Sequence, residues 1–101
     1  MKWRVRLTDG AATDLTELYA FLAQNDVTAA EQALRSLRKA FKLLEAFPFS
    51  CRKAEGSQAT AFLREMVVPF GNAGYVVLFE IQEKGNVTIL AVRHQREDDY
   101  H

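Results

Sequence analysis

The run Tyr75-Val76-Val77-Leu78-Phe79-Glu80-Ile81 constrains the fold more than any other segment. All but one of its residues are apolar, so as a strand it presents apolar side chains to both sides of a sheet. Such a strand belongs in the middle of a sheet, with a partner on each edge. The sequence offers both partners. Phe62 to Val68 is one strand candidate, ended by Pro69, and Val87 to Val92 is another. Phe70 to Gly74 is turn material, and Glu83-Lys84-Gly85-Asn86 reads as a hairpin turn. Three short-linked strands in this order predict an antiparallel meander.

Upstream the period changes. Trp3, Val5 and Leu7 alternate with Lys2, Arg4 and Arg6, which predicts a strand with one core face and one basic, solvated face. Thr8-Asp9-Gly10 breaks this alternation, and Thr8 or Asp9 can cap a helix. Ala11, Leu15, Leu18, Tyr19 and Leu22 then form one apolar helical stripe, closed by Gln24-Asn25-Asp26. A second helix is expected from Asp26 or Thr28, with Ala30, Ala33, Leu34, Leu37, Ala40, Phe41 and Leu44 on its apolar side. Phe47-Pro48-Phe49 stops it, because the residue before a proline resists the helical region. Two helices this close in sequence predict an antiparallel hairpin, with Ala29, Ala30 and Ala33 allowing close approach. The expected contact set is Leu15, Leu18, Leu22, Leu34, Leu37, Phe41 and Leu44. Ser50 to Ala61 reads as a polar loop. The predicted class is α+β: strand–helix–helix–strand–strand–strand, the hairpin packed on a small, mainly antiparallel sheet. The edge that the first strand joins stays open at this level.

Chain length and residue types narrow the function. The 101 residues make one domain, 1–101, with the tail 95–101 read as flexible. Thirteen Lys plus Arg balance thirteen Asp plus Glu, which argues against a protein whose main work is neutralising phosphate. No apolar stretch approaches the ~18–20 residues of a membrane span, and the start has no signal-like apolar region. Cys51 stands alone, and no Cys/His cluster, phosphate-cradling glycine loop or serine elbow is present. The expectation is a cytoplasmic protein with no cofactor, no metal and no membrane partner.

The chemistry-bearing candidates are few. Arg93-His94-Gln95-Arg96-Glu97-Asp98-Asp99-Tyr100-His101 holds both histidines and one of three tyrosines, delivered to one end of the sheet. Arginines with His and Tyr can bind a phosphate and move protons. The plainer reading of this segment is a solvated polar tail. Arg64, between Leu63 and Glu65, is a strand arginine that pairs with a carboxylate, lies on the wet face or serves a site. Arg35, Arg38, Lys39 and Lys42 form a basic stripe, either the ordinary polar side of an amphipathic helix or a contact for an acidic partner. Glu31 stands four residues before Arg35, the favourable order for a helical ion pair. Cys51, next to Arg52 and Lys53, reads as a half-buried structural thiol.

In order along the chain, several segments resemble the ParE branch of the RelE/ParE toxin superfamily. They are Leu7-Thr8 with Ala11-Ala12-Asp14-Leu15, then Ala33, Leu34, Leu37, Phe41 and Leu44-Glu45-Ala46-Phe47-Pro48. Leu63 to Gly71 with Gly74-Tyr75-Val76-Val77 is similar to the family's middle, and Ile89 to Glu97 to its ending. The resemblance implies the toxin of a type II toxin–antitoxin, plasmid-stabilisation-like pair, held inactive by a cognate antitoxin. ParE-like toxins poison DNA gyrase and arrest growth. RelE-like relatives cut messenger RNA on the ribosome, and the shared fold does not choose between them. The balanced charge and the acidic Glu97-Asp98-Asp99 favour gyrase, with no catalytic residues and no enzyme activity. On that reading Arg64, which matches the family's middle-strand arginine, and Arg93, His94 and Arg96 bind the target, while Arg35, Arg38, Lys39 and Lys42 meet the antitoxin. A metal-independent nuclease would instead use Arg64, His94, Tyr100 and His101. A third class is an interaction domain without toxicity.

Overall fold

The computed structural model describes residues 2–54, 62–71 and 73–95. Alternation at the start produces β1, Arg4–Leu7. Thr8 then turns the chain into α1, Asp9–Ala23, by accepting the Ala11 N–H on its Oγ1 at 3.1 Å. Asp26 caps α2, Val27–Leu44, in the same way, its Oδ1 accepting from the Ala29 N–H at 3.1 Å. Each cap satisfies one of the N–H groups that a helix start leaves without a partner. A single 3₁₀ turn at Pro48–Ser50 leads to β2, Arg52–Lys53. The meander follows as β3, Leu63–Phe70, β4, Ala73–Gln82, and β5, Asn86–His94. Between β4 and β5, Lys84 and Gly85 both take positive φ, 65° and 77°, to close the turn.

The five strands lie in the order β1-β5-β4-β3-β2. β1 joins β5 in parallel, Arg4 opposite Asn86 and Leu7 opposite Ile89. That answers the open question of the edge. A parallel pair needs a long crossover, and the helical hairpin supplies it. All other pairings are antiparallel. Leu90 is an extra residue in β5, since Leu78 pairs with Ala91 and Phe79 with Ile89. β1 is an edge strand, and its exposed Arg4 and Arg6 discourage pairing with another chain.

Both helices cover one face of the sheet. Ala30, Ala33, Leu37, Ala40 and Leu44 are the buried residues of α2, spaced as one straight row. Alanine at three of these positions lets the helix come close to the sheet. Below it lie Val77, Phe79, Val87 and Ile89, all fully buried. α1 is fastened to β5 at three points. The Thr8 N–H donates to the Ile89 carbonyl at 3.0 Å, the Thr8 hydroxyl to the Leu90 carbonyl at 3.3 Å, and the Val92 N–H to Asp14 Oδ2 at 2.9 Å. No described helix is long and apolar enough to cross a membrane.

Four details differ from the sequence reading. Leu34 stays outside the core, because the alanine row beside it turns toward the sheet; Leu15, Leu18, Leu22 and Phe41 pack at the core margin. The segment read as loop contains β2, two residues too short to carry a pattern. β3 runs through Pro69, tolerated there because β2 pairs only with Arg64 and Glu65 and leaves the rest of β3 as an edge. Gly74 belongs to β4 and not to the turn. A Cβ at Gly74 would stand 2.5 Å from the Val68 carbonyl oxygen, so the close pairing of β3 and β4 requires glycine. Leu37→Ala should lower the unfolding free energy by about 2–5 kcal/mol through loss of contacts and a residual cavity. Urea denaturation checks it, with a lower midpoint and an unchanged slope.

Candidate functional site

At the far end of β5, His94 sits half-buried on the helix-facing side. Its ring meets Tyr75 edge to face at 5.7 Å between centroids, and Tyr75 in turn lies 6.1 Å from Phe70. Burial pushes the Tyr75 phenol up. Arg93 is exposed on the opposite face, because neighbouring strand residues alternate sides. Arg96, Tyr100 and His101 lie outside the described residues, as does most of the tail 95–101.

Arg64 is on the helix-facing side with His94 but at a different place. It pairs with Phe79 of β4, whereas His94 pairs with Tyr75. Four residues of strand separate those positions, about 13 Å along the strand axis. β4 itself lies between the two side chains. The Arg64 guanidinium holds the segment after α2. Its Nη1 donates to the Phe49 carbonyl at 3.1 Å and to the Cys51 carbonyl at 2.7 Å. Its carbon also lies 5.3 Å from the centre of the Phe49 ring, a cation–π distance. Phe49 continues into an aromatic row, with Trp3 at 5.9 Å and Phe62 at 6.3 Å. Arg64 is therefore the clamp of this end of the sheet. Burial pushes the Cys51 thiol up, against smaller lowering effects of the Ser50 hydrogen bond and the Arg64 charge. A thiol so shifted is mostly protonated at neutral pH and is a poor nucleophile.

The helical hairpin carries a second feature. An apolar groove of about 450 Å³ opens along α1 and α2, lined by Leu7, Leu15, Tyr19, Leu34 and Phe41, with Arg38 at its side. Arg35, Arg38, Lys39 and Lys42 are all exposed on α2. No ion pair joins Glu31 to Arg35 among the described residues. The sequence reading found the basic stripe and placed Leu15, Leu34 and Phe41 in the helix–sheet contact; Leu15 and Phe41 do pack at the core margin, whereas Leu34 does not. Its missed signal is width. Leu34 and Phe41 make a second apolar row beside the alanine row, and one helix cannot press both rows onto a flat sheet.

Comparison with known proteins fits this architecture. The sequence pattern of a family described as ParE toxin of type II toxin-antitoxin system, parDE, matches residues 5–99. The chain belongs to this family. Two solved structures show the same fold. A chain of the chromosomal ParDE system from P. aeruginosa superposes with a TM-score of 0.67 at 15% identity, covering 91% of this chain and 95% of that one. A chain of the RelBE2 toxin–antitoxin complex from Mycobacterium tuberculosis superposes with a TM-score of 0.59 at 23% identity, covering 93% and 99%. No curated protein matches the sequence. This ParE-family chain thus presents three surfaces: the β5 end, the Arg64 clamp and the hairpin groove.

Arg64→Met should cost about 1–3 kcal/mol, because two carbonyls lose their donor. Thermal unfolding of the variant checks it, and an unchanged midpoint would remove the clamp role. Cys51 in the folded protein should alkylate with iodoacetamide more slowly at pH 7 than in urea, the rate rising with pH as thiolate forms.

Proposed function

We propose that this ParE-type toxin of a toxin–antitoxin system acts by binding DNA gyrase and stalling it, and that a cognate antitoxin neutralises it. The observation that carries the reading is the separation of Arg64 from His94, with the Arg64 guanidinium engaged by the Phe49 and Cys51 carbonyls. A nuclease needs its proton-transferring and phosphate-binding groups within hydrogen-bond reach of one phosphate. Two of the four nuclease candidates, Arg64 and His94, do not converge in this way. As binding contacts, groups on different parts of the surface suffice. Arg93 and His94, with Arg96, are the contacts we assign to the target.

The antitoxin reading rests on the groove. Its length along two helices, its apolar lining and the cations Arg35, Arg38, Lys39 and Lys42 match an amphipathic helix with acidic flanks. Both structural neighbours come from toxin–antitoxin systems, which supports such a partner.

Purified protein should inhibit gyrase supercoiling and accumulate cleaved DNA, while messenger RNA on translating ribosomes stays intact. The opposite pair of results would overturn the gyrase reading in favour of the RelE-like one. His94→Gln separates the chemistries further, because glutamine keeps a hydrogen-bonding group but moves no proton near neutral pH. A binding poison should keep its potency within about threefold, whereas a nuclease using His94 as its acid or base would lose about 10²-fold or more.

A further inference from the structure

The face of the sheet turned away from the helices carries a set of arginines that the fold does not use. Arg4 and Arg6 project from β1, and Arg93 from β5, all exposed on that face. None of the three has an ion pair or hydrogen bond among the described residues. β1 and β5 contain no acidic residue at all. Between the arginines this half of the face offers Asn86, Thr88 and Ala91, small or hydrogen-bonding groups. Among the described residues of β4, Glu80 is engaged by a neighbour. It accepts from Gln82 Nε2 at 3.0 Å, and the Gln82 Oε1 accepts from the Thr88 hydroxyl at 2.7 Å. Glu65, further across, is paired with Arg52 at 3.2 Å.

We propose that the Arg4–Arg6–Arg93 face binds the phosphate backbone of duplex DNA. Arginine supplies a planar fork of donors that matches phosphate oxygens. Arg4 and Arg6 stand about 6.7 Å apart along an edge strand, so both reach one extended backbone together. A phosphate backbone needs only charge and donors, which these three arginines supply. The choice of DNA over another polyanion rests on the gyrase reading, since the toxin would then meet an enzyme with DNA on it. The contact is sequence-independent, because backbone contacts carry no base information.

The test uses the purified chain and a 20-base-pair fluorescent duplex, with no gyrase present, so its failure is distinct from failure of the supercoiling assay. Anisotropy across a salt series should give a slope of log K on log salt of about −2.7, from three phosphates at about −0.9 each. Affinity should then fall about 40-fold between 50 and 200 mM salt. Arg4→Glu with Arg6→Glu should weaken binding at 50 mM salt more than tenfold and bring the slope to about −1. Arg93→Gln alone should reduce the slope by about one. These exposed side chains make no described hydrogen bond or ion pair, so circular dichroism should show both variants folded. A paired control, Arg35→Glu with Lys39→Glu on α2, should leave most of the affinity in place. Unchanged affinity and slope in the sheet-face variants would overturn the proposal, as would a larger loss in the α2 control. Displacement of the duplex by polyglutamate at equal charge concentration would overturn the commitment to phosphate and point to an acidic protein segment.

Discussion

The parallel pairing of β1 with β5 is the constraint from which the rest of the molecule follows. It joins residues 4–7 to residues 86–89, nearly the full length of the chain. A parallel ladder cannot be closed by a tight turn, so the chain must cross over one face of the sheet, and two helices fill that crossover. The junction is then secured locally, where Thr8 and Asp14 tie the start of α1 to β5. With both helices committed to one side, the other side of the sheet is left to solvent and to partners. Placing β1 at the edge also puts its arginines where nothing in the described fold neutralises them.

The same commitment produces the groove. α2 has two apolar rows, and the sheet accepts the one built on alanine because small side chains allow the closest approach. The larger Leu34 and Phe41 are left beside α1, where Leu15 and Tyr19 meet them. The surface we propose for the antitoxin is thus a remainder of core packing. The groove and the core use neighbouring rows of one helix.

Elements defined by local chemistry were legible in the sequence. The caps at Thr8 and Asp26, the helical spacings and the apolar run of β4 each depend on residues a few positions apart. What was not legible depends on residues far apart. The parallel partner of β1 and the two-residue β2 leave no local pattern. Arg64 shows the limit at the candidate site: its sequence neighbours suggest a strand arginine, but its partners are carbonyls of Phe49 and Cys51, contributed by a different segment. Net charge is a sum over the chain, and it does not register that Arg4, Arg6 and Arg93 share one face of the sheet while Glu97-Asp98-Asp99 run together in the sequence.

The position of β5 has a consequence for how the toxin comes into being. Among the described strands it is the last in chain order and also an interior one, flanked by β4 and β1. Until His94 has been synthesised, β1 has no partner, α1 has nothing to anchor its start, and β4 lacks one of its two neighbours. The nascent chain can pair β2, β3 and β4 but lacks the strand that joins them to β1, and β5 completes the sheet. A premature stop before β5 removes Val87, Ile89 and Val92 from the core, so loss of toxicity needs no lesion at the contact residues themselves.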